Sequence, residues 1–196
     1  NPFISILLNI SPDHLDRYKS FSEYILQKEK IINLNKNGFN IISLDDPNTL
    51  NIYMKNKEKF IPISNKFIEK GVYFKNNFIV DNYFEKNYAI NISSVSPSLF
   101  GFFNIQNILA AYVVVRILEL NIKNYIQIIK NFKGLPHRLE KIYQNDYLQV
   151  INNSKATNVD ASIKSIINFE NINLILGGKD NKKEREFNKI LKFKKK

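Results

Sequence analysis

The strongest constraint in this sequence is the order of its first three periodic segments. Ile4 to Ile10 (ISILLNI) is a short apolar run stopped by Ser11-Pro12, which reads as a buried strand. Phe21 to Asn33 then carries Tyr24, Ile25, Lys28, Ile31 and Ile32 at helical spacing, with Ser20 or Ser22 as its N-cap. Gly38 interrupts that pattern, and Phe39 to Leu44 (FNIISL) is a second buried strand. Strand, helix, strand in that order predicts a parallel βαβ unit of an α/β domain.

The next stretch has a different rhythm. Residues 58–95 contain short runs (KFIPI, GVYF, NFIV) separated by polar pairs such as Asn76-Asn77, which predicts a small β-meander. Asn104 to Leu120 predicts a helix with Ile108, Ala111, Val115 and Leu118 on one face, and Ile122 to Phe132 a second, ended by Gly134 and Pro136. At residues 133–138 (KGLPHR) composition and period both change, as at an interdomain hinge. Two strands around 139–143 and 147–152, a helix from about 158 to 168 and a buried strand Asn173 to Leu176 follow. That last strand runs into Gly177-Gly178 as though a new α/β domain were starting. One strand and helix do not close a sheet, and the first strand has no preceding partner, so the chain reads as a fragment.

Composition narrows the function classes. The 44% of hydrophobic residues can build a packed core in a 196-residue chain, and the absence of cysteine excludes disulfides and thiolate metal sites. No apolar run approaches the roughly 20 residues that span a bilayer, and the N-terminus shows no signal-peptide pattern, so the expectation is cytoplasmic, with no membrane partner. A net charge of +11 invites a nucleic-acid reading. The lysines are nevertheless spread along the chain, clustering only at Lys194, Lys195 and Lys196, with no basic stripe interleaved with aromatics. Solvation accounts for the charge better than nucleic-acid binding, although a basic binding module stays open as the lesser alternative.

Four polar clusters could carry chemistry. Asp13-His14-x-Asp16-Arg17 follows the first strand directly, and ligands of open α/β sheets sit beyond the carboxyl ends of strands. A neutral imidazole there can ligate a divalent ion, although a surface loop would look the same. Asn104-x-x-Asn107 places two carboxamides on one helical face, suited to a purine edge or simply to capping. Asn152-Asn153-Ser154-Lys155-Ala156-Thr157-Asn158 lies between a strand and a helix, where an anion or an ordinary capped turn fits equally. Gly177-Gly178 with Lys179, Asp180 and Lys182 is a similar strand-end loop. No G-x-x-x-x-G-K-[ST] loop occurs, and the only histidines are His14 and His137.

The order of these clusters carries more than any one of them. Asn9 to Tyr18 (NISPDHLDRY), Lys28, Leu44-Asp45-Asp46, Gly101-x-x-Asn104-x-x-Asn107-x-x-Ala110-Ala111, Gly134-Leu-Pro-His137-Arg138-x-Glu140, the SKATN run from Ser154 and Leu176-Gly177-Gly178 together resemble the D-glutamate-adding branch of the Mur ligases. The resemblance covers nearly the whole chain, and the LPHR and SKATN segments are its most specific parts. They argue against the related folylpolyglutamate-type ligases, which share the architecture.

The resemblance implies a fold, a reaction and a set of roles. Residues 1–133 would be the later part of the central ATP-binding domain, a parallel sheet with helices plus a small meander, and 134–196 the start of a Rossmann-like C-terminal ligase domain. The activity implied is ATP-dependent addition of D-glutamate to UDP-N-acetylmuramoyl-L-alanine in cytoplasmic peptidoglycan synthesis, through an acyl phosphate and with two Mg2+ ions. Lys28 matches a lysine that carries a CO2-derived carbamate, and His14 a ligand of the same Mg2+; the carbamate turns an ammonium into an anionic oxygen donor. Asn104 and Asn107 match residues beside the adenine, Arg138 the hinge arginine near the nucleotide, and Asn153 an aspartate that contacts the ribose. Lys155, counted among the catalytic residues, and Thr157 match residues that meet substrate phosphate or carboxylate groups, and Lys182 a lysine that helps hold D-glutamate. Asn153 in place of aspartate and Phe103 in place of histidine depart from the family, and Lys182 is one position out of register. A phosphate loop, which the resemblance places upstream, is missing, so the fragment is expected to be inactive alone, and the full-length protein to be a monomer.

Overall fold

The computed structural model describes every residue except 1, 14–16, 36, 86, 100, 168, 178–189 and 191–196. The chain forms two compact units, Asn1–Phe132 and Lys133–Lys196.

In the first unit, β1 (Ile4–Leu7) leads through α1 (Phe21–Asn33) to β2 (Phe39–Ser43), and β1 and β2 pair in parallel with Ile4 opposite Phe39. Ser20 caps α1: its hydroxyl accepts from the Glu23 N–H at 3.2 Å, and the Glu23 carboxylate accepts from the Lys19 N–H at 2.8 Å. Gly38 lets the chain turn tightly into β2, because a Cβ there would collide with the Phe3 carbonyl and the Asn35 side-chain oxygen. The β1 strand is shorter than the apolar run predicts, since only residues 4–7 enter the ladder.

Between β2 and the next strand, the sequence pattern predicts no helix. One exists: α2 (Pro47–Lys55), capped by Asp46, whose carboxylate accepts from the Asn48 and Thr49 N–H groups at 3.0 and 3.1 Å. Asp46-Pro47 is an N-cap followed by proline at the first helical position, a signal that the run of turn-forming residues concealed. With α2 as crossover, β3 (Ile61–Ser64) pairs parallel to β2 rather than joining the meander. β4 (Val72–Lys75) is again parallel to β3, and only β4, β5 (Phe78–Asp81) and β6 (Tyr88–Asn91) form the antiparallel meander. All six strands make one sheet in the order β1-β2-β3-β4-β5-β6.

Alternation along β2 sends its side chains to two cores. Ile41 packs with Ile63, Val72, Ile79 and the helices α3 (Phe102–Ile117) and α4 (Ile122–Asn131). Ile42 packs on the other face with Leu7, Tyr24 and Ile32, near Ile52 of α2. The result is a three-layer α/β unit. The buried face of α3 differs from the expected one: Leu109, Tyr112 and Val113 are fully buried, whereas Ala111 and Leu118 are exposed. Residues 102–117 are apolar on nearly every side, so periodicity alone singles out no stripe.

In the second unit, β7 (Glu140–Gln144) and β8 (Gln149–Asn152) form an antiparallel hairpin, followed by α5 (Val159–Ile166). The expected buried strand Asn173–Leu176 is absent: these residues carry no strand pairing, and Ile175 is 95% exposed. A strand exists only beside a partner, and among the described residues β7 and β8 pair only with each other. Among the described residues no helix is long and apolar enough to cross a membrane.

Candidate active site

Because β1, β2 and β3 run parallel, their carboxyl ends open on one edge of the sheet, the place where α/β sheets bind ligands. The loop after β1 is tied there at both sides of one residue. The Ile10 N–H donates to Asp46 Oδ1 at 3.4 Å, and Asn48 Nδ2 donates to the Ile10 carbonyl at 2.9 Å. Between this loop and α1 lies an open cleft of about 480 Å3 lined by Asn9, Ser11, Asp13, Tyr24 and Lys28, among others. Lys28, one helical turn beyond Tyr24, is exposed, with its ammonium 5.1 Å from the centre of the Tyr24 ring. Asp13 and Lys28, 15 positions apart in the sequence, thus share one cleft. His14 and Asp16 lie outside the described residues, and among the described ones no group of three His, Cys, Asp or Glu side chains is placed to hold a metal.

At the neighbouring strand ends stands Asp45. Its carboxylate accepts from Ser64 Oγ at 2.8 Å, from the Asn65 N–H at 2.9 Å and from Gln106 Nε2 of α3 at 3.2 Å. On the same first turns of α3, Asn107 Nδ2 donates to Asn104 Oδ1 at 3.2 Å; Asn107 is exposed and Asn104 partly so. The side chain of Phe103 lies outside the description.

The second unit brings together two motifs that the sequence separates. The Lys155 N–H donates to the His137 carbonyl at 3.1 Å, and Asn153 Oδ1 accepts from the Leu139 N–H at 3.2 Å. Asn152 Nδ2 meets His137 Nδ1 at 2.8 Å. The polar run 152–158 therefore closes onto the LPHR segment, between β8 and α5, with Asn158 capping α5 through the Ala161 N–H at 2.8 Å. Arg138, Lys155 and Thr157 are all exposed. Lys182 lies outside the described residues.

Sequence reasoning missed Asn48, Ser64, Asn65 and Gln106. Only Gln106 leaves a trace, as a polar residue among apolar neighbours on a helix that is otherwise buried there. The buried polar centre of the meander was also missed. Asp81, 1% exposed, accepts from Tyr112 Oη at 2.7 Å and pairs with Arg116, whose guanidinium lies 4.6 and 4.7 Å from the ring centres of Phe84 and Tyr88. Burial pushes the Tyr112 hydroxyl well above the ordinary tyrosine range, and the Asp81 charge adds to that; burial does the same to Tyr125, whose hydroxyl donates to the Ile108 carbonyl at 2.8 Å.

Comparison with known proteins places the fold in a family. Residues 1–115 match the Mur ligase middle domain. The chain is 39% identical over 182 residues to the UDP-N-acetylmuramoylalanine--D-glutamate ligase of Rickettsia bellii, covering 89% of this chain and 40% of that protein. It is 35% identical over 182 residues to the protein of the same name from Citrifermentans bemidjiense, covering 91% and 40%. Among solved structures, the MurF ligase of Thermotoga maritima in complex with ADP superposes with a TM-score of 0.56 at 18% identity, over 84% of this chain and 38% of that one, a likeness of fold. The chain thus spans about two-fifths of the length of these curated relatives. With a matching middle domain over more than half its length and the strand-end cleft that this domain builds, the chain belongs to the Mur ligase family.

Proposed function

We propose that this chain is part of a cytoplasmic, ATP-dependent ligase that adds D-glutamate to UDP-N-acetylmuramoyl-L-alanine. The observation that carries the reading is the cleft beyond β1, which gathers Asp13 and Lys28 in a chain 39% and 35% identical to relatives that bear that name. In this reading residues 1–133 belong to the central ATP-binding domain and 134–196 open the C-terminal ligase domain.

The residues present fit a divalent ion. Asp13 brings a carboxylate to the cleft, and the exposed Lys28 amine can add to CO2, losing a proton, to give a carbamate oxygen. Lys28 as carbamate and His14 would hold Mg2+, which offsets charge on the transferring phosphoryl group. The substrate carboxylate attacks the γ-phosphorus of ATP and ADP leaves. The D-glutamate amine then adds to the acyl phosphate carbonyl, and the tetrahedral adduct expels phosphate, which carries off the amine proton, to leave the amide. For this chain the task is positioning and charge stabilisation, which dominate phosphoryl transfer. Asn104 and Asn107 offer amide donors and acceptors to the adenine edge. Arg138 and Asn153 approach the nucleotide, and Lys155 and Thr157 meet the anionic groups of the substrate, with Lys182 directed to D-glutamate.

The test is made in the ligase at the full length of its relatives. Lys28→Ala should lose most of its phosphate release with ATP, Mg2+, UDP-N-acetylmuramoyl-L-alanine and D-glutamate, and short carboxylic acids should restore part of it by replacing the carbamate. Near-normal rates in Lys28→Ala would exclude Lys28 from the centre and turn attention to Lys30, two residues further along α1.

A further inference from the structure

The sequence motif Leu44-Asp45-Asp46 has no role in the reading above, and Gln106 belongs to none of its motifs. The structure joins them. Gln106 is 7% exposed, Ser43 fully buried and Ser64 3% exposed, yet all three are polar and meet at Asp45. Gln106 Nε2 donates both to Asp45 Oδ2 at 3.2 Å and to Ser43 Oγ at 3.0 Å. The same carboxylate holds the end of β3 through Ser64 Oγ at 2.8 Å and the Asn65 N–H at 2.9 Å. One carboxylate therefore fastens the carboxyl ends of β2 and β3 to the first turns of α3.

Further along α3, Tyr112 and Arg116 anchor the helix to the sheet through the buried Asp81, so the question is what fixes its first turns. Gly101 precedes the helix with φ 112° and provides no side-chain cap. At those first turns Gln106 is the buried polar side chain that reaches the sheet, more than one helical turn before Tyr112. A buried amide must find its acceptor, because a buried polar group left unpaired is costly, so the Gln106 contact fixes the angle of these turns. Residues advance by about 100° along a helix, so with Gln106 directed at the sheet, Asn104 and Asn107 lie about 160° and 100° away from it, turned off the sheet. Asn107 is exposed and Asn104 partly so.

We propose that Asp45 and Gln106 are positioning residues for nucleotide recognition: the Asp45–Gln106 contact holds the first turns of α3 at the angle that presents Asn104 and Asn107 to an adenine ring. The inference rests on the nucleotide reading of those two asparagines. It assigns separate tasks to adjacent acids, since Asp46 caps α2 and holds Ile10 while Asp45 holds the first turns of α3.

Adenosine is the probe, because it tests the base-binding face without needing a phosphate loop. In the 196-residue chain, 1H–15N spectra during adenosine titration should show shifts centred on Asn104 and Asn107, and Asn104→Ala with Asn107→Ala should abolish them. Gln106→Met, of similar length but without a donor, should weaken adenosine at least fivefold while the amide signals of Ile79 and Ile90 stay in place. Asp45→Asn, which keeps an acceptor for the Asn65 N–H, should give a smaller loss in the same direction. A merely structural contact would lower the melting temperature and leave the adenosine affinity of the folded chain unchanged, and that result in Gln106→Met overturns the inference alone. An unmutated chain whose Asn104 and Asn107 signals ignore adenosine overturns the nucleotide reading, and this inference with it.

Discussion

The two units of this chain are held together by different means. In Asn1–Phe132, Ile41, Ile63, Val72, Ile79, Leu109 and Val113 are fully buried, and even the charged Asp81 is enclosed. In Lys133–Lys196 the hairpin leaves Ile142, Tyr143 and Leu148 more than half exposed and Tyr147 97% exposed. Its motif residues are fixed instead by hydrogen bonds: Lys155 N–H to the His137 carbonyl, Leu139 N–H to Asn153, and Asn152 to the His137 ring. A net hydrogen bond contributes about 0.5–1.5 kcal/mol, less than burying a large apolar side chain. The first unit therefore holds its motif residues on a rigid sheet edge, whereas the second arranges its own by local closure and should open at lower free energy.

Removing the buried charge from the first unit should strain this contrast most. Asp81→Ala leaves the Arg116 guanidinium among Phe84, Tyr88 and Tyr112 without the Asp81 carboxylate, and also deletes the acceptor of the Tyr83 and Phe84 N–H groups at 3.1 and 3.3 Å. Urea unfolding should register a loss of about 3–5 kcal/mol for the first unit. Amide exchange in β7 and β8 should be unchanged. A loss near zero would mean that packing alone holds the meander to α3.

Alkali should also act on the first unit selectively. Tyr112 and Tyr125 have hydroxyls raised above the ordinary value of 10.0, so they stay neutral in the folded chain where the unfolded chain ionises. Their contribution is intact below pH 10.0 and is lost as pH rises from there toward the folded values. Each should remove about 1.4 kcal/mol per pH unit above that point. Tyr125→Phe should flatten the slope in a pH series of denaturation curves; an unchanged slope would take Tyr125 out of the account.

The second unit should respond to a single amide. Asn152→Ala removes one partner of the His137 ring, the other being Glu140, and the acceptor of the Ser154 N–H at 3.1 Å. Amide exchange across residues 137–156 should accelerate by an amount on the order of 1–2 kcal/mol, with the six-stranded sheet unaffected. Equal acceleration in both units would show that they unfold together and would erase the distinction.

The smallest effect expected is at Asn153. Its Oδ1 is already engaged by the Leu139 N–H, so toward a ribose hydroxyl it has chiefly its Nδ2 donor left. Asn153→Asp keeps the Leu139 bond and adds a charged acceptor, a gain on the order of 1 kcal/mol. In the full-length ligase the KM for ATP should fall several-fold while kcat and the KM for D-glutamate stay level. An unchanged KM for ATP would withdraw Asn153 from the nucleotide site.

What the residues determined by themselves is whatever depends on neighbours along the chain. Phe21–Asn33 was legible as a helix because its period, its serine cap and Gly38 all agree, and the polar run 152–158 was legible as a strand-to-helix turn for similar reasons. The order of short motifs was enough to point to the family, since each motif keeps its local spacing. Tertiary structure decided the rest. KFIPI became a parallel strand only because α2 carries it back alongside β2, and Asn173–Leu176 formed no strand because no partner pairs with it among the described residues. The buried side of α3 could not be read from an apolar helix; Tyr112, Arg116 and Gln106 decide it by meeting carboxylates 31, 35 and 61 positions away. Such contacts leave no periodic trace, because a hydrogen bond between distant residues constrains two positions and nothing between them.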